Sequence, residues 1–150
     1  MRHFLLLIAI FLGLNFTSSA QTLQLGAKAP DIKIKEWING KPNLKKAHLV
    51  EFFHTASKPT KTHIQTLNNI AKKHKDHLSV IFLTKEDKQK LIDVLGENSD
   101  FYLAVDAAGK TFQNYDIQFV PFCVLIDQRG KMLWFGNPNS LTDKLISQYL

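Results

Sequence analysis

Ser57 and Thr60 stand three positions apart around Lys58 and Pro59, with His54 three positions before Ser57 and His63 six after it. Three chemistries could use this set. A serine nucleophile needs a histidine base, and His54 or His63 could supply one, but the sequence offers no oxyanion motif to complete such a site. A helix N-terminus could bind an anion or a peptide carbonyl, helped by the Lys58 charge. The third reading is structural and is the favoured one. Ser57 would be a helix N-cap, accepting a hydrogen bond from a backbone N–H of the first turn, with Pro59 lacking a donor where none is required.

The other reactive residue types are sparse. Cys123 is the only cysteine, so no internal disulfide can form and stability must come from packing. It sits in an apolar run, where a lone cysteine is expected as a small buried hydrophobe. His74-Lys75-Asp76-His77 has an i, i+3 histidine pair, but lysines flank it and a solvated helix end is expected. His54 and His63 flank the loop and could face each other. Two histidines without a thiolate or carboxylate partner make only a weak metal site, so no metal is expected, and no cofactor.

Residues 1–20 carry the signs of a processing segment. Arg2 and His3 give a basic start, Phe4 to Phe16 is apolar, and Thr17-Ser18-Ser19-Ala20 ends on small residues, so a signal peptide cleaved before Gln21 is expected. The apolar run is short for a membrane span, and no stable span is expected after cleavage. A single domain over 21–150 follows, in the periplasm or cell envelope. Its formal charge falls from +6 to +5 on loss of Arg2. Lysines spread along the chain read as a solvated surface, and no nucleic-acid partner is expected.

The elements that must position these residues alternate in period. Ile32, Ile34 and Trp37-Ile38 read as a strand ending at Asn39-Gly40. His48 to His54 is an apolar run suited to the middle of a sheet. Ile64, Leu67, Ile70 and Ala71 recur at helical spacing up to Lys75. A strand over Leu78 to Leu83 follows, then a helix over Asp87 to Leu95 closed by Gly96. Phe101 to Val105 reads as a strand, Gly109 to Tyr115 as a turn and short helix, and Phe122 to Ile126 as a strand. Asp127-Gln128-Arg129-Gly130 turns the chain into Lys131 to Phe135, and Leu141 to Leu150 is a terminal helix. This order predicts an α/β fold with a central mixed sheet and helices on both faces. Within it Glu51 is expected at the sheet edge paired with a lysine, or exposed; if buried it would carry a raised pKa.

Several motifs together resemble the thioredoxin-like superfamily, and within it the redoxin and TlpA-like thiol-disulfide oxidoreductases. Gly26-x-x-Ala29-Pro30-Asp31 is similar to their opening motif, and Val50-Glu51-Phe52-Phe53 to the strand before their active site. Val120-Pro121-Phe122-Cys123-Val124-Leu125-Ile126-Asp127 is similar to their cis-proline strand, and Gly130-Lys131 with Trp134 to Pro138 to a closing hairpin. The resemblance implies a thioredoxin-like fold with a cis-proline before the fourth core strand. It also places Ser57 and Thr60 where the family has its two cysteines, and Ala56 where it has an aromatic residue.

A hydroxyl cannot form a mixed disulfide, so the exchange chemistry of the family does not carry over. Glu51 falls on the family's proton-relay position, but has no thiol there to serve. What the resemblance leaves is a binding device. The family's cis bond exposes the backbone of the preceding residue, here Val120, for pairing with a substrate segment. The candidate groove is therefore Ala56, Ser57, Lys58 and Pro59 facing Val120 and Pro121. The expected function is an exported, redox-inactive module that binds a peptide or an envelope protein. Two alternatives remain open: thiol chemistry through Cys123 or a partner's cysteines, and a structural subunit of an envelope complex.

Overall fold

The apolar run ahead of Ser57 becomes the centre of a six-stranded sheet. The computed structural model describes residues 22–97 and 99–150. In chain order the elements are β1 (Glu36–Trp37), β2 (Ala47–Phe52), α1 (Lys58–Lys73), β3 (Leu78–Thr84), α2 (Lys88–Leu95), β4 (Tyr102–Val105), α3 (Lys110–Asn114), β5 (Phe122–Ile126), β6 (Met132–Gly136), a 3-10 turn over Pro138–Ser140, and α4 (Asp143–Tyr149). The sheet order is β1-β4-β3-β2-β5-β6. Strands β2, β3 and β4 run parallel, while β5 lies antiparallel to β2, β6 to β5, and β1 to β4. Every residue of β2 and β3 is buried, because each has a strand on either side and a packed layer on both faces.

Alternation along β2 divides the core. Leu49 and Phe53 face a layer in which Leu67, Ile70 and Ala71 of α1, Leu91 of α2 and Ile146 of α4 meet Val80, Phe82, Leu103, Cys123 and Leu125. Val50 and Phe52 face the opposite layer, made of Phe112 and Tyr115 together with Leu23, Ile32 and Ile34 of the N-terminal arm. The sheet therefore carries helices on both faces, as the pattern implies, although one face has only the short α3. No helix among the described residues is long and apolar enough to cross a membrane. The expected signal peptide, residues 1–20, lies outside the described residues.

Two elements differ from the sequence expectation. The strand read from Ile32 to Ile38 shrinks to Glu36–Trp37. Ile32 and Ile34 do pack onto the core, but the backbone between them bonds sideways, Lys33 N donating to Thr111 Oγ1 at 2.9 Å. The terminal helix starts two residues late, at Asp143, because Thr142 caps it by accepting from Leu145 N at 3.1 Å.

Candidate functional site

Register brings the candidate residues to one end of the sheet. Phe52, the last residue of β2, pairs with Leu83 near the end of β3 and with Phe122 at the start of β5. The loop 53–57, the segment after β3 and the segment 119–121 therefore emerge side by side. Helices start where parallel strands end, so α1 begins there too.

Glu86 organises the loop before α1. Its carboxylate accepts from Thr55 N at 2.6 Å and from Thr55 Oγ1 at 2.8 Å, and His54 Nε2 lies 3.4 Å from it. Burial pushes the Glu86 carboxyl up, while the Thr55 hydrogen bonds and the His54 and Lys90 charges offset this and leave it below the ordinary value. His54 Nδ1 accepts from Ala56 N at 3.2 Å, and Ser57 N donates to His54 O at 2.9 Å. The two His54 ring nitrogens thus face Ala56 N and Glu86, and neither makes a hydrogen bond to Ser57. Glu86 escaped the sequence reading. The signal for it was an acid just after a strand that runs parallel to β2 and so ends beside the same loop.

Ser57 occupies the N-cap position of α1 with extended backbone, φ −72° and ψ 117°, but its side chain makes no capping hydrogen bond. This corrects the expected role. An N-cap oxygen accepts from the second or third helical residue, and the second is Pro59, which has no N–H. Ala56 and Lys58 are exposed beside it. Thr60 lies in the first turn, with its side chain outside the described set.

Across the sheet end, the Val120–Pro121 peptide bond is cis. Pro121 is buried and Val120 half-buried, whereas the preceding Phe119 is 70% exposed. Phe119 meets Phe122 edge-on with ring centroids 6.0 Å apart, and Phe122 continues to Phe135 at 6.3 Å. Leu23, Ile117, Gln118, Phe119 and Phe122 line a cavity of about 110 Å³ alongside. Phe119 also went unnoticed in the sequence, where an aromatic two positions before the proline carries no sign of exposure.

Beneath these loops lie Glu51 and Cys123, opposite one another on β2 and β5. Glu51 is 0% exposed on a central strand, with neither oxygen hydrogen-bonded, which corrects the expected edge or exposed position. Burial raises its pKa to about 8. Cys123 is 0% exposed, as expected of a small hydrophobe, and burial together with the adjacent Glu51 pushes its thiol well up. A thiol in this state is a poor nucleophile. His63 is 4% exposed on the core side of α1, its Nε2 has no partner, and burial lowers its pKa.

His74 and His77 lie at the other end of α1. His74 Nε2 contacts Asp143 Oδ1 at 2.8 Å, so it is half-buried rather than solvated, and His77 is exposed. No group of three or more His, Cys, Asp or Glu among the described residues is placed to hold a metal ion.

Sheet order, the β2-α1-β3 crossover and the cis-proline segment define an α/β protein of the thioredoxin-like fold. Solved structures agree. A solution structure assigned as a protein disulfide isomerase from Bacteroides thetaiotaomicron superposes with TM-score 0.71 at 20% identity, covering 85% of this chain and 88% of its own. The thioredoxin domain of a thiol-disulfide oxidoreductase from Bacteroides vulgatus gives TM-score 0.68 at 18% identity, covering 85% and 96%. StoA from Bacillus subtilis gives 0.63 at 16% identity, covering 82% and 98%. No protein-family model and no curated protein matches the chain. At these identities the likeness establishes the fold, and the chemistry rests on this chain's own residues.

Proposed function

We propose that the chain is an exported thioredoxin-fold protein of the cell envelope that binds an extended peptide or protein segment without redox turnover. The segment lies between Ala56, Ser57, Lys58 and Pro59 on one side and Val120 and Pro121 on the other. The N-terminal residues 1–20 support export, and Ser57 and Thr60 leave the helix start without a thiol. The observation that carries the binding reading is the exposed Phe119 beside Val120. A large aromatic held in water next to the backbone that leads into β5 would give a ligand both an apolar contact and main-chain partners.

An insulin-type disulfide reduction assay on the mature chain tests the redox half. No turnover above background is expected, in wild type or in Cys123→Ser. Turnover that disappears in Cys123→Ser would overturn it. The double variant Ser57→Cys with Thr60→Cys should gain activity, since the loop and helix start remain in place.

A further inference from the structure

Among the described residues, the orphaned polar atoms of the core lie on one side of the sheet. Glu51 is two residues from both Leu49 and Phe53 of the first layer and faces Cys123 of the same layer across β5. His63 lies one helical turn before Leu67 on the stripe of α1 that enters that layer. At 1.5 Å per residue it is about 8 Å into α1 from Lys58. Glu51, one residue inside the end of β2, lies toward the same end of the sheet.

The surroundings give neither group a charged partner. On β3, Phe82 pairs with Glu51 and is flanked on that face by Val80 and Thr84, whose hydroxyl is bonded to Glu86. On β5 the titratable neighbour is Cys123, and α4 contributes the apolar Ile146. Glu86 and His54 sit at the rim and are paired with each other.

The two ends of α1 are held unequally. At its C-terminal end Lys73 and His74 both reach Asp143 of α4. At its start Ser57 makes no side-chain cap and the first turn holds no acid, so neither a cap nor a first-turn acid offsets the helix dipole there.

We propose that Glu51 and His63 form a pH-sensitive seat for the first half of α1, which rests on the sheet while both are neutral and lifts when either takes a charge. An unpaired charge in this layer has no partner without water, and the weakly held helix start is the segment that can admit it. Only the effect on binding rests on the peptide-groove reading. Lifting the helix start would disperse Ser57 and Lys58 and open the groove.

The sign follows from linkage. Seated, Glu51 keeps its proton up to about pH 8, whereas in the lifted state it loses it near 4.5. Seated, His63 resists protonation because burial lowers its pKa, whereas the lifted state takes up a proton near 6.5. Below 6.5 the two effects oppose one another, so the opening changes less steeply with pH there. From 6.5 to about 8 only the Glu51 effect remains, and the opening rises by up to tenfold per pH unit and then levels.

Amide hydrogen exchange of the full mature chain from pH 5.5 to 9, corrected for intrinsic rates, tests this without any ligand. Wild-type α1 amides around His63 should open at least tenfold more often than those of β3, with opening that climbs more steeply above pH 6.5 than below it. Glu51→Gln should abolish the rise above 6.5 and reveal an increase in opening below it. His63→Leu should extend the rise down to about pH 5. One common opening for α1 and β3 at every pH, or a wild-type profile in Glu51→Gln, would overturn the proposal. Peptide affinity is read separately: loss of affinity between pH 6.5 and 8 in wild type alone links the seat to the groove. Unaltered exchange profiles with no peptide binding would remove the groove and leave the seat.

Discussion

The two faces of the sheet bury polar groups on opposite terms. On the α3 side, Asp106 accepts from the backbone N–H groups of Lys110, Thr111 and Phe112 at 3.1, 2.8 and 3.0 Å. Tyr115 there donates its hydroxyl to Pro30 O at 2.7 Å, and Thr111 Oγ1 accepts from Lys33. These bonds cap a short helix and fasten the N-terminal arm. On the α1 side, Glu51 and His63 Nε2 are buried with no partner at all. A fold needs the first kind of burial. The second opposes stability, so its presence directly under the candidate groove marks that face as the one shaped by something other than packing.

If that contrast is correct, substitutions on the two faces should have opposite signs. The largest effect is expected at Glu51. The gap between 4.5 and about 8 corresponds to roughly 5 kcal/mol of unfavourable ionisation at pH 9. Because the folded-state pKa is raised, stability is intact below about 4.5 and lost as pH rises toward 8. Urea unfolding of Glu51→Gln should therefore show a gain of that order at pH 9 and almost none at pH 4.5. An equal gain at both pH values would break the contrast, since it would reflect packing rather than charge.

Asp106→Ala should act in the other direction. It leaves three backbone donors at a helix start without their acceptor, a loss of roughly 3 kcal/mol at neutral pH. A loss below the error of urea unfolding would mean that the α3 face is not held by these bonds. Tyr115→Phe is the smallest of the three, at about 1 kcal/mol, with freer proteolysis of the arm near Pro30 as its signature. A stable, fully protected arm in that variant would show that the arm's apolar residues suffice.

Much of this architecture is legible in the sequence. The runs around Leu49, Ile81 and Val124 are apolar enough to announce interior strands, and Asp127 to Gly130 announces its turn, with Asp127 Oδ1 accepting from Arg129 N and Lys131 N at 2.8 Å. What failed depends on distant partners. An acid within an apolar run reads as an edge residue because central burial is costly, and only the pairing of β2 with both β3 and β5 shows otherwise. Ser57 reads as a cap because local rules favour it, yet Pro59 removes one of the donors it would bind. Glu86 and Phe119 are ordinary in sequence, and gain their roles only where three chain segments converge.

The central claim is that the groove binds without thiols. Titration of isotopically labelled residues 21–150 with an extended, cysteine-free aromatic peptide, followed by backbone amide shifts, tests it most directly. The account predicts saturable shifts confined to residues 54–58 and 118–122, unchanged in Cys123→Ser and weakened about fivefold in Phe119→Ala, the cost of one exposed aromatic contact of ~1 kcal/mol. Shifts centred elsewhere, or binding that requires Cys123, would contradict it.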